Sequence, residues 1–155
     1  TLKIVDYIKS LNIPTICFPK GIGKNYINFN SLVKPDCISI DYEIDPKWIK
    51  EKLKGTPIQG GLDPKILLTD KDNIKRNAEH YIKIFSDYPY VFNLGHGVLP
   101  ETKPEIIQYL IQIIRNKFRY VVNHLRINRV IKAYSYSSNT SVSFYPNNIF
   151  LLSFT

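Results

Sequence analysis

The chain has 155 residues, 44% of them hydrophobic, which is enough apolar material for one ordinary domain with a sizeable core, and no run reaches the roughly 20 apolar residues that a membrane span needs. Its formal charge is +8: of 21 Lys and Arg, four (Arg119, Arg126, Arg129 and Lys132) follow residue 117, where no acid occurs, and the others are spread among all 13 acids in residues 1–117. Dispersed lysines suit a solvated surface, whereas a nucleic-acid binder clusters its bases, so neither nucleic acid nor membrane is the expected partner.

In chain order, "TLKIVDYIKSLNIP" reads as a helix with Ile4, Ile8 and Leu11 on one face and Pro14 closing it. No basic-apolar-small segment precedes it, so no export signal is expected. The chain contains no methionine, as either removal of an initiator before Thr1 or a piece of a longer protein would give. Cys17 and Cys37 lie inside apolar runs without metal-ligand spacing. They read as buried free thiols in a reducing, cytoplasmic setting.

Four short apolar runs follow one another, "IPTICFP" (13–19), "DCISIDY" (36–42), "TPIQGG" (56–61) and "YVFNLG" (90–95), bounded by Gly, Pro and Asp. Their length suits strands buried on both faces. Each is followed by a helical signal. After a loop at Gly21 and Gly23 comes "NYINFNSLVK"; "DPKWIKEKLK" opens with Asp45 as N-cap and Pro46 at the first helical position. "TDKDNIKRNAEHYIKIFSD" has Thr69 three residues before Asp72, with Ile74, Ala78, Tyr81, Ile82 and Phe85 along one stripe. "TKPEIIQYLIQII" sets Thr102 and Glu105 in capping-box spacing and turns Ile107, Leu110, Ile111 and Ile114 toward a core.

Strand then helix, four times, is the repeat of a parallel α/β sheet, either a small open domain or half of a (β/α)₈ barrel. None of the strands reads as a polar edge, which points to the half-barrel. In both architectures ligands collect at the C-terminal ends of the strands, where "FPKGIG", "DYEID", "QGGLDP" and "NLGHG" lie. His96, set between two glycines, therefore sits on the functional rim. Asp41 and Lys20 are rim residues by position, and such groups are more often caps or loop charges than catalysts.

"FNLGHGVLPETKPE" closely resembles the last strand and helix of uroporphyrinogen decarboxylases, and "IQGGLDPKILL" the strand before it, where Asn commonly stands at the position of Gly61. "PTICFPKGIG" and "CISIDYEIDP" occur in the same order and at similar spacing. The resemblance covers about residues 1–117. It implies strands five to eight of a TIM (β/α)₈ barrel, a carboxy-lyase of haem biosynthesis that converts uroporphyrinogen III to coproporphyrinogen III, and no metal or organic cofactor. By the same resemblance His96 binds substrate, the flanking glycines admit the macrocycle, and the principal acid belongs to the first half of the barrel, so no catalytic residue is assigned. The partners implied are the porphyrinogen, the missing N-terminal half and, in the full-length family, a homodimer.

Two other functions stay open. A zinc-dependent methyltransferase of the same barrel superfamily would be expected to carry a Cys ligand near His96, and a degenerate fragment or basic binding module would act through the tail. Residues 118–155 match nothing in the family. They read as a basic helix ("FRYVVNHLRINRVIKAY", with Val122, Leu125, Arg126 and Val130 on adjoining turns), as strands covering a sheet edge ("SVSFYP", "NIFLLSF"), or as translation past a broken reading frame.

Overall fold

The computed structural model describes residues 1–118 and 149–151. The readings of residues 119–148 as basic helix or strand fall outside them. Within them the order is α1 (Leu2–Ser10), β1 (Ile16–Cys17), α2 (Tyr26–Val33), β2 (Cys37–Ile40), α3 (Pro46–Lys52), β3 (Ile58–Gly60), α4 (Lys71–Ile84), β4 (Tyr90–Phe92), α5 (Pro104–Phe118) and β5 (Ile149–Leu151).

All neighbours in the sheet are parallel, and the strands lie in the order in which the chain makes them. A doubly wound sheet reverses its order part-way and puts helices on both faces; this one never reverses. Ile38, Ile40, Ile58, Tyr90 and Phe92 pack in one core with α3, α4 and α5. The register row Ser39, Gln59 and Val91 alternates with them and so faces the other way. One helical face and one side-chain-lined face is how a (β/α)₈ barrel is built, and the chain is a part of one.

The short strands form where apolar runs meet breakers. Asp36, just before β2, accepts from the Thr15 N–H at 2.9 Å and its hydroxyl at 3.0 Å, which sets the β1–β2 register at its start. Two Asp-Pro pairs open the next turns. Asp45 accepts from the Lys47 N–H to cap α3, as expected, and Asp63 does the same from Lys65 for a 3₁₀ turn over Pro64–Leu68.

Two expected capping boxes do not form. α4 is capped by Asp70, which accepts from Asn73 N–H at 2.8 Å, because its carboxylate is one residue nearer the helix than Thr69. Thr69 instead donates to the Ile66 carbonyl. α5 begins at Pro104, and the buried Thr102 hydroxyl has no hydrogen-bond partner. The core stripe of α4 holds throughout, with Ile74, Ala78, Tyr81, Ile82 and Phe85 buried. On α5, Leu110 and Ile114 are buried but Ile107 and Ile111 only half so, and Ile113 joins the core.

α1 departs most from expectation. Only Val5 is buried, while Ile4 and Leu11 of the anticipated face are exposed, together with Leu2 and Tyr7. An amphipathic face needs cover, and the described residues do not supply it. α1 runs into β1, which among the described residues has a neighbour on one side only. At the other edge, Ile149–Leu151 pair with Tyr90–Phe92, so part of the "NIFLLSF" segment does lie along a sheet edge. Cys37 is buried and Cys17 half-buried; both are free, and burial pushes the Cys37 thiol up to about 12.

Aromatic stacking holds the centre. Phe85 and Tyr90 are stacked with centroids 4.2 Å apart, both fully enclosed. Phe85→Ala should therefore cost about 3–5 kcal/mol. Leu32→Ala, at an exposed position of α2, should stay within about 0.5 kcal/mol. Urea denaturation of the two variants checks the contrast. Burial also raises the Tyr81 and Tyr88 phenols from about 10 to about 12. The folded state then holds protons that the unfolded state releases, so stability should be intact below pH 10 and fall as pH climbs toward 12, in step with a spectrophotometric phenolate titration.

Candidate functional site

The C-terminal rim of the sheet is drawn together by Asp41. Its side chain, only 4% exposed, sits just past β2. Oδ2 accepts from the Gly21 N–H at 2.9 Å and from the Tyr26 hydroxyl at 3.1 Å, and Oδ1 accepts from the Glu43 N–H at 3.1 Å. Tyr26 completes the exchange by accepting from the Asp41 N–H at 3.0 Å. Burying a carboxylate is costly unless its oxygens are hydrogen-bonded, and both oxygens of this one are. This one ties the loop after β1 and the first residue of α2 to the end of β2. The Tyr26 phenol is held protonated by burial.

The segment after β4 docks on the same strand end. Leu94 bridges Leu62 in parallel, and the Gly95 N–H donates to the Leu62 carbonyl at 2.7 Å. A Cβ on Gly95 would stand 2.9 Å from the Asp41 carbonyl carbon and 3.0 Å from Tyr42 Cα, with Tyr42 N closer still. Glycine is needed at 95 because the chain meets its own backbone there. Gly97 has open space around it. Gly61, with φ +101°, takes a backbone form that favours glycine, and a Cβ there would stand 2.9 Å from Cε1 of the Tyr81 ring. The Tyr81 and Tyr90 hydroxyls hold this turn by donating to the Gly61 and Gly60 carbonyls, each at 2.7 Å.

His96 emerges from this frame exposed to solvent. Lys20, from the loop after β1, comes to it across 76 positions of sequence, with Nζ 3.1 Å from Nε2. The three rim residues marked in the sequence thus end in one place, with different parts: Asp41 is a structural anchor, and Lys20 and His96 are paired at the surface. Tyr26 was not anticipated, although a tyrosine opening the helix after a Gly-rich loop, facing an Asp at the next strand's end, was a readable signal. Among the described residues no three His, Cys, Asp or Glu side chains are grouped to hold a metal ion. No described helix is long and apolar enough to cross a membrane.

A family model described as Uroporphyrinogen decarboxylase (URO-D) matches residues 1–117. The chain belongs to the uroporphyrinogen decarboxylase family. The curated relatives bearing that name include proteins of Rickettsia bellii (43% identical over 117 residues), Wolbachia sp. subsp. Brugia malayi (39% over 119) and Cereibacter sphaeroides (36% over 119). These matches take in 74–76% of this chain. The chain spans only about a third of each relative's length, 34–35%. Within this family match, the "NLGHG" segment keeps its histidine on the rim, held by contacts that belong to the half-barrel itself.

Three substitutions separate anchoring from exposure. Gly95→Ala should destabilise by about 1–3 kcal/mol, because a Cβ would press on rigid backbone. Gly97→Ala should stay within about 0.5 kcal/mol. Tyr26→Phe should cost about 1–3 kcal/mol by leaving Asp41 short of a donor. Thermal melts of the three variants read the order directly.

Proposed function

We propose that residues 1–117 supply strands five to eight of a uroporphyrinogen decarboxylase barrel, which converts uroporphyrinogen III to coproporphyrinogen III with loss of four carboxyl groups as carbon dioxide. In that reaction a protonated pyrrole ring accepts the electron pair left by each departing carboxyl. The substrate is its own electron sink, and the protein's work is positioning and electrostatic stabilisation. His96 is read as a hydrogen-bonding contact to a substrate carboxylate. The rest of the site is read as lying on a polypeptide equivalent to the unmatched two thirds of the relatives, which would also cover α1 and the free side of β1.

The observation that carries this reading is the placement of "NLGHG" on the C-terminal rim, beside the loop after β1, in a chain whose residues 1–117 match the family. The test is complementation. The 155-residue chain is co-expressed with the first two thirds of the Rickettsia bellii relative, and coproporphyrinogen is measured in the purified pair. The pair should turn over and the chain alone should not. Turnover by the chain alone would overturn the shared site, and a stable pair without turnover would overturn the reaction. His96→Ala in the active pair should lower activity about ten- to hundredfold, the worth of one charge-assisted hydrogen bond, without dissociating it.

A further inference from the structure

The contact between Lys20 and His96 restricts the histidine chemically. A lysine ammonium carries three donors and no acceptor, so the ring nitrogen 3.1 Å from it must present a lone pair. We infer that Lys20 is a positioning residue for His96: by donating to Nε2 it fixes the neutral imidazole as the tautomer protonated on Nδ1. The proton placed on Nδ1 is then the one His96 can offer to a ligand, since which nitrogen is protonated follows from the bond the other makes. No described group accepts from Nδ1.

Exposed pairs usually gain little, because two long side chains must be ordered against water. Here both sides of the contact are anchored. The residue after Lys20 is held by Asp41 through the Gly21 N–H, and Lys20's own N–H donates to the Phe18 carbonyl at 3.0 Å in a tight turn. The residue before His96 donates to Leu62 and packs on the Asp41–Tyr42 backbone. Both side chains therefore spring from backbone fixed to one strand end, and the flexible stem of Lys20 is the main freedom lost.

The pair divides two tasks between two residues. Lys20 brings a fixed positive charge, and His96 brings a directed, neutral N–H. The ligand class such a pair suits is a carboxylate, which accepts the N–H while sensing the ammonium beside it. This use rests on the reading of His96 given above; the tautomer assignment does not.

The test is ¹⁵N and ¹³C NMR of the histidine rings in the labelled 155-residue chain, at a pH where the imidazole is neutral. The His96 signals are identified by their loss in His96→Gln. In the wild-type chain His96 should be protonated mainly on Nδ1. Lys20→Met should move the tautomer ratio about tenfold or more toward protonation on Nε2, as expected for loss of a charge-assisted hydrogen bond, and Lys20→Arg should restore the wild-type pattern. An Nε2-protonated ring in the wild-type chain overturns the inference, and this needs no Lys20 variant to fold. An unchanged ratio in a folded Lys20→Met chain overturns it as well. The readout involves no turnover, so a failed complementation with the expected tautomer would reject the decarboxylase reading alone, and the converse result would reject only the role of Lys20.

Discussion

The rim of this half-barrel depends on one carboxylate. Parallel strands are joined by long crossovers, so nothing local aligns the loops at their C-terminal ends. Asp41 does so by accepting from the loop after β1, from the first side chain of α2 and from its own following turn, while the "NLGHG" segment packs on the backbone beside it. Three separate stretches of chain thereby share one reference point. The exposed pair of Lys20 and His96 inherits its geometry from that buried network.

Much of this was legible in the sequence, for reasons tied to particular residues. Apolar runs broken by Gly, Pro and Asp located all four strands of residues 1–117, and Asp45-Pro46 announced the start of α3 because that dipeptide leaves few other conformations. The capping boxes were misread because spacing alone does not decide between neighbouring acceptors: Asp70 competes with Thr69 and lies closer. The stripe on α1 shows the complementary failure. Periodicity identifies which face seeks cover, but not whether the same stretch of chain provides it.

The site itself divides along similar lines. His96 and Lys20 could each be placed at a strand end, yet their meeting depends on the order of β1 to β4 and on tight turns at both ends, which no local pattern encodes. Gly95 and Gly97 look alike in the sequence. Only the approach of the Asp41–Tyr42 backbone distinguishes a glycine that is required from one that is open. The uroporphyrinogen decarboxylase family match, over residues 1–117, takes in both of these glycines and the histidine between them.

The strand formed by Ile149–Leu151 carries a consequence for assembly. A β-strand has two hydrogen-bonding edges, and β4 uses one for β3 and the other for these three residues. In a closed eight-stranded barrel the second edge belongs to the first strand. A first strand taking that place would compete with Ile149–Leu151 for the same amides and carbonyls, so closure would be an exchange rather than a simple addition. On that side an incoming strand would meet an edge whose hydrogen bonds are already made, whereas the outer edge of β1 is open among the described residues.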